Sequence, residues 1–426
     1  MKVEKLVEWN PWWESGKVDF ELQGKKRSDC RELLSSIDVK EVTIITGIRR
    51  CGKSTIMYQM INRLLERGIN PEKILFVNLE DKKLSQDSLD DIYAAYRKEI
   101  NTGEKAYVFL DEIHKRAGWE SWIRKKYDLK TNDKFVISGS CSYLLKKEYS
   151  TLLTGRNLSY EVFPLDFKEF LSFNGLEIDN KKIGRGILTE KTRIEILRYF
   201  ENYLNFGGFP EILFKPENFK IKLLSQYFDD ILYKDIVDRH NLNSEKAKDL
   251  ALFFMNNLAG LMSLRNIRNS LGLSYDTAKD YLSYFKDAFL FFSVDHFSYS
   301  FKEQKTLPSK IYTIDGGLRN SVSFKFSKDE GKLIENLVFV ELKRRGFYPY
   351  YWKNKKEVDF IVKDNNQNLI AINVSYADEI DARELEGLKE FKKEFIKTKK
   401  LVIITKDVEK VEENIEFIPI WKWLLE

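Results

Sequence analysis

Gly47, four variable residues, and then Gly52, Lys53 and Ser54 give the spacing GxxxxGK[ST], the pattern of a loop that cradles phosphate. The residue types explain the chemistry. Glycines at both ends let the backbone turn tightly and approach an anion without a Cβ in the way. Successive N–H groups and a following helix N-terminus point at the phosphates. Lys53 reaches the terminal phosphates, and the Ser54 hydroxyl is a magnesium ligand. The expected nucleotide cradle is therefore Gly47, Ile48, Arg49, Arg50, Cys51, Gly52, Lys53, Ser54 and Thr55.

A second set begins at Asp111-Glu112, where the apolar run AYVFL ends some 58 residues after Lys53. Asp111 is the expected partner of magnesium, directly or through water, and Glu112 the group that orients and polarises the attacking water. An ordinary charged strand end is the alternative, and the intact phosphate loop upstream weighs against it. Ser140, with Ser138 second, ends another apolar run and is placed to hold the water or report the terminal phosphate. Arg156, on the Gly155-Arg156 turn, could reach a phosphate in its own or a neighbouring subunit; a surface or packing arginine is an equal reading of the residues alone. His114 has no metal-ligand companion at motif spacing, since His240 and His296 are far away, and reads as a loop or interface group.

The third set lies near the carboxyl end. Glu335 on a helix, Asp359 on a second strand and Asn373 on a third suggest a restriction-endonuclease-like core. Such a core needs an acid on the third strand and, two residues on, a lysine that helps activate water. Here those positions are Asn373 and Ser375, so the site reads as vestigial, a poor metal binder at which hydrolysis is not expected.

The elements that must position these groups follow from periodicity. Val42–Thr46 reads as a buried strand and IMYQMINRLL as a helix, so strand, loop and helix arrive in the order the phosphate loop requires. Further strands are expected over 74–80, 106–110, 134–138 and 158–162, with helices over 86–100, 118–128 and 166–173. Together they make an α/β sandwich on a mostly parallel sheet. Ahead of it, Trp9, Trp12 and Trp13 flank Asn10-Pro11 and read as an aromatic arm packed on the domain, a partner-binding arm being the alternative; a short helix is expected from Ser28 to Ser35. From 190 the period becomes helical, broken at Gly207-Gly208 and Pro210, with Asp229, Asp230, Asp235 and Asp238 read as a solvated or interface face. A helix, a turn at Gly272, a second helix and strands at 290–294 and near 301–315 suggest a winged helix. Arg265, Arg268, Lys279 and Lys286 supply basic charge there, offset by Asp276, Asp280 and Asp287, so DNA contact and a structural or protein-contact role weigh evenly.

The chain's 426 residues allow two or three domains, and its 71 Lys+Arg against 66 Asp+Glu are too balanced to argue for nucleic acid. Cys30, Cys51 and Cys141 have no paired or metal-binding spacing, which points to a reducing compartment. No signal peptide or membrane span is indicated, and a cytoplasmic location is the expectation.

With these residues in view, the chain resembles the archaeal and bacterial ATP-binding proteins in which an AAA-type ATPase domain (AAA_14-like) precedes a DUF4143 domain. The resemblance rests on Gly47–Ser54, Leu110-Asp111-Glu112, Ser138-Gly139-Ser140, Gly155-Arg156, Tyr203–Glu211, Lys234-Asp235-Ile236 and the terminal Glu335/Asp359 unit. It implies a P-loop NTPase (AAA-type) domain over 1–175 with the N-terminal arm, a helical lid and winged-helix-like region over 190–315, and a nuclease-like α/β domain over 325–426. It also implies ATP with Mg as ligands, an arginine-finger role for Arg156, and glutamate and lysine where Asn373 and Ser375 stand. The expected function is ATP hydrolysis driving rearrangement on duplex DNA or a protein partner, in a chain that also has the option of a homo-oligomer. The rivals are an ATP-gated binding switch with little turnover and an ATP-dependent nuclease.

Overall fold

The computed structural model describes residues 2–27, 31–129, 131–142, 153, 155–179, 188–262, 264–323 and 330–426. Two compact units divide the chain, Met1–Val162 and Phe163–Glu426.

In the first unit five strands, β1 (Val42–Thr46), β2 (Ile74–Asn78), β3 (Tyr107–Asp111), β4 (Lys134–Gly139) and β5 (Asn157–Glu161), form one sheet in the order β2-β3-β4-β1-β5. Every pairing is parallel. A parallel sheet is covered on both faces, which is why β1 is apolar or β-branched throughout and wholly buried. Helices Lys53–Glu66, Leu89–Glu99 and Trp119–Asp128 supply the cover. Their apolar stripes, among them Ile92, Tyr96, Trp122 and Ile123, pack against Val108, Leu110 and Ile137. At roughly 1.5–3 kcal/mol for each large apolar side chain removed from water, this is the main stabilisation of the unit.

Strand order decides what the sheet can do. β4 stands between β1 and β3, with Thr46 opposite Gly139 and Leu110 opposite Ile137. The carboxyl ends of β1, β3 and β4 therefore finish side by side, the edge at which parallel sheets hold ligands.

β2 is a margin of this sheet, and the arm closes it. The Asn10 amide donates to the Phe76 carbonyl at 2.8 Å, and its oxygen accepts from the Phe76 N–H at 2.6 Å. The indoles of Trp12 and Trp13 donate to the Ile74 carbonyl at 3.2 and 2.8 Å, and that of Trp9 to Asp81 at 2.9 Å. The aromatic cluster thus packs the arm onto its own domain. Of the expected Ser28–Ser35 helix, Arg31–Ser35 is helical, while Ser28 and Cys30 lie outside the described residues.

The second unit opens on helices Phe167–Phe173, Glu190–Phe206 and Glu217–Asp230. Phe167 and Phe170 pack on Phe200 and Tyr203, which joins 167–173 to this unit. The 217–230 helix widens into a π-helical stretch, Ile231–Val237. Within it Asp235 is buried, which removes that one acid from the expected solvated or interface face; Asp229 and Asp230 are half-buried, Asp238 is exposed, and Asp230 pairs with Lys234 at 2.7 Å.

Helix Ser244–Asn256 is followed by β6 (Leu261–Met262), helices Leu264–Leu271 and Tyr275–Asp287, β7 (Phe291–Val294) and β8 (Ser309–Thr313). Gly272 turns between the helices with φ +65°, a left-handed conformation that glycine adopts freely. The strands form an antiparallel sheet in the order β6-β8-β7. Residues 301–306 are helical rather than strand, and β6 was not foreseen.

After helix Glu330–Arg344 comes a six-stranded sheet of β9 (Tyr350–Lys353), β10 (Glu357–Lys363), β11 (Leu369–Ser375), β12 (Thr398–Thr405), β13 (Lys410–Glu412) and β14 (Ile415–Pro419). Its order is β13-β14-β12-β11-β10-β9. β9, β10 and β11 pair antiparallel, β11 and β12 parallel, with helix Ala382–Glu394 as the crossover.

Candidate nucleotide-binding site

The loop leaving β1 is shaped by close backbone approach. Gly47 has φ +148°, and a Cβ there would lie 2.1 Å from the Val162 carbonyl oxygen. Arg50 and Gly52 also take positive φ, 67° and 104°. The 53–66 helix starts with no side-chain cap, so its first N–H groups are free of an N-cap acceptor. Arg27, from the arm, donates to the Cys51 carbonyl at 3.0 Å, and Gln59 donates to the carbonyls of Gln23 and Lys25 at 2.8 and 2.9 Å. The arm thus braces the loop and brings it a buried cation. Sequence reasoning missed Arg27; its only signal is the Lys25-Lys26-Arg27 run. Burial pushes the Cys51 thiol up, so it is a packing group.

Lys53, almost fully buried, donates to the Gly47 and Ile48 carbonyls at 3.0 and 3.2 Å, and its Nζ lies 3.8 Å from Glu112. Ser54 Oγ donates to Asp111 Oδ2 at 2.6 Å. Ser138 Oγ donates to the other Asp111 oxygen and accepts from the Glu112 N–H at 3.1 Å. The Ser140 N–H donates to Glu112 Oε2 at 3.3 Å, while the Ser140 hydroxyl is buried with no hydrogen-bond partner among the described residues. Ser138 therefore fixes the acids, and Ser140 keeps a hydroxyl for a ligand.

The two neighbouring acids are driven apart. Burial, reinforced by the Glu112 charge, raises the Asp111 carboxyl to about 6. Burial acts on Glu112 too, but the Lys53 ammonium, then His114 and Arg49, outweigh it and hold that carboxyl below its usual range. His114 Nδ1 lies 3.3 Å from Glu112 Oε2, so the histidine helps position this acid. Glu112 itself sits at φ +53°, a left-handed conformation uncommon for a side chain of its size. Arg49 donates to Glu80 at 2.8 Å.

These groups fit a magnesium–triphosphate ligand. A metal shared with phosphates needs few protein oxygens, and Ser54 and Asp111 offer a hydroxyl and a carboxylate side by side. Lys53 donates to two neutral carbonyls, which phosphate outcompetes as acceptors.

Arg156 is not brought to this group. It precedes β5, whose first residue is opposite Val42, at the amino edge of the sheet. A five-residue strand rising about 3.3 Å per residue separates that edge from the loop. There Arg156 Nε donates to Asp128 at 3.0 Å.

In the second unit Glu335 and Asp359 converge around Lys310 of β8, and Asn373 is tied to the Asp359 backbone N–H. Lys310 Nζ lies 2.8 Å from Glu335, 2.8 Å from Glu357 and 3.0 Å from Asp359. Tyr312 donates to Glu335 at 2.7 Å. Burial, with the Asp359 charge, raises the Glu335 carboxyl to about 7. Sequence reasoning missed Lys310 altogether.

Comparison with known families matches three segments: 39–171 to an AAA domain, 197–329 to a domain of unknown function (DUF8612) and 330–423 to a domain of unknown function (DUF4143). An uncharacterized protein of Methanocaldococcus jannaschii is 33% identical over 448 aligned residues, covering 100% of this chain and 98% of its own. An uncharacterized protein of Haemophilus influenzae is 29% identical, covering 93% of this chain and 97% of its own. Among solved structures, C. elegans PCH-2 matches 52% of this chain at 17% identity and a TM-score of 0.26; this chain spans 62% of that one, less than two thirds. A score that low supports no inference about the fold. Among the described residues no helix is long and apolar enough to cross a membrane. End-to-end similarity to the archaeal protein, with an AAA domain at one end and DUF4143 at the other, makes this chain a member of the AAA-type ATP-binding family that carries a C-terminal DUF4143 domain.

Proposed function

We propose that the first unit binds ATP with magnesium on the 47–55 loop and hydrolyses it. The observation that carries this reading is the meeting, at one sheet edge, of Ser54 with Asp111 and of Lys53 with Glu112. The loop N–H groups and Lys53 bind and orient the phosphates; Ser54 and Asp111 hold the metal. Magnesium, when bound, neutralises phosphate charge and draws electron density from the bond that breaks. Glu112, kept ionised by Lys53 and His114, accepts a hydrogen bond from the attacking water and aligns it with the phosphorus. The Ser140 hydroxyl has a free donor and acceptor for that water or for a phosphate oxygen. Arg156 acts, if it acts on ATP, on a site in a neighbouring copy, because its own strand separates it from its own loop.

Turnover moves the helical and winged-helix-like segments against DNA or a protein. The support is the pair of helices joined at Gly272 beside the β6-β8-β7 sheet, with Arg265 and Arg268 exposed. The test is steady-state ATP hydrolysis by wild type, Lys53→Ala and Glu112→Gln, with and without duplex DNA across a salt series. Glu112→Gln retains nucleotide and loses turnover. Equal binding of magnesium–ATP by Lys53→Ala and wild type would sink the assignment. Stimulation by DNA that fades steeply with salt selects nucleic acid over a protein partner.

A further inference from the structure

The nuclease-like reading of the last domain implies a divalent metal between its acids, and the residues present do not fit one. Both Asp359 oxygens and Glu335 Oε1 already have donors. Asp359 Oδ1 faces Lys310, and its Oδ2 accepts from the Val374 N–H at 3.0 Å. Glu335 Oε1 accepts from both Lys310 and Tyr312. Asn373, at the position of the third acid, uses its oxygen to accept from the Asp359 N–H at 3.0 Å. Its amide nitrogen donates to the Glu384 carbonyl and carboxylate, both at 2.9 Å. An amide so held carries no charge to offer a metal, and its oxygen is already engaged by a backbone N–H.

Lys310 supplies the cation instead. An ammonium has three N–H donors, and here three carboxylates stand within 3.0 Å of it. The residue is 2% exposed, deeper than the acids it faces. It comes from β8, in a different sheet from Asp359. Buried carboxylates need compensating charge, and an ammonium anchored through its own strand provides it permanently.

We propose that the Lys310 ammonium is the resident cation of the Glu335/Glu357/Asp359 cluster, taking the place of a divalent metal and making the last domain a metal-independent body tied to the β6-β8-β7 sheet. The position of a water-activating lysine holds Ser375, and Lys310, from another sheet, is spent on neutralising the acids.

The test counts Mn2+ bound by the full chain without nucleotide. Lys310→Met is expected to bind one more Mn2+ per chain than wild type, and the gain disappears when Asp359→Asn is added. Lys310→Arg, which keeps the charge, gains none. The proposal is overturned if folded Lys310→Met gains no site. It is equally overturned if wild type loses a Mn2+ in Asp359→Asn, or cleaves DNA with Mn2+ in a way Asp359→Asn abolishes. Should Lys310→Met fail to fold, the wild type and Asp359→Asn counts decide: equal counts support the proposal, and a missing ion refutes it.

Discussion

Two places in this molecule bring a buried lysine to carboxylates, and they use it in opposite ways. Lys53 donates to two backbone carbonyls, and Glu112 stands 3.8 Å from it. Lys310 is locked by three carboxylates at 2.8, 2.8 and 3.0 Å. The first cation is held weakly enough to be taken over by an incoming phosphate. The second has already met its anions and has nothing left to offer. Proximity of lysine and acid is therefore not a sign of chemistry in itself; what matters is whether the pair is satisfied before the ligand arrives.

Several substitutions would break or sharpen this contrast, and the largest effects fall on the two lysines. Lys53→Ala is expected to lower ATP hydrolysis by about 10²–10³-fold, since one well-placed charge in a water-poor site is worth about 3–4 kcal/mol in the transition state. Its apo thermal midpoint should fall less than that of a Lys310 variant, because Lys53 faces Glu112 at 3.8 Å whereas Lys310 faces three carboxylates within 3.0 Å. Lys310→Met should do the reverse, costing about 3–5 kcal/mol of stability in metal-free buffer by stranding buried acids, as read by denaturant unfolding. Glu112→Gln comes next, with turnover down by about 10²-fold and retained nucleotide in a filter or fluorescence binding assay.

Asp111 sharpens the comparison through pH. Its carboxyl is raised to about 6 from an ordinary 3.8. Between those values the folded state holds a proton that the unfolded state has lost, so this group favours folding at low pH and penalises it increasingly as pH rises towards 6, with the full penalty above. Asp111→Asn should then raise the apo melting midpoint by a few degrees at pH 7.5 and flatten its slope over that window, while abolishing stabilisation by magnesium–ATP. A midpoint that falls, with the slope unchanged, would contradict the burial argument. The smallest expected effect is Arg156→Ala: a loss of turnover in concentrated protein that dilution of wild type reproduces, if a neighbouring copy uses the residue.

Much of the first site was legible because its signal is local. Val42–Thr46 forms over the residues expected, and Lys53, Ser54, Asp111 and Glu112 meet as the phosphate-loop pattern requires. The serine choice needed the fold: Ser138 and Ser140 lie two residues apart, and only the neighbouring strand decides that one is consumed by Asp111. Arg156 could not be placed from sequence, since its end of the sheet depends on β5 running parallel beside β1. Lys310 was invisible for the same reason: 49 residues and a change of sheet separate it from Asp359. β13, β14 and the helical turn Ile420–Trp423 lie beyond Asn373 and Ser375, the last residues whose pattern suggested a nuclease-like core. Asp235 misled because acids recurring around a helix look hydrated until a neighbour covers one of them.

The Asn10 amide has a consequence for assembly. By engaging both the N–H and the C=O of Phe76, it does the work of an adjoining strand and leaves that margin no vacancy for a foreign peptide to zip onto. The opposite margin is β5, which pairs with β1 alone among the described strands. Recruitment by backbone zippering, in this unit, is thereby confined to the flank on which Arg156 stands.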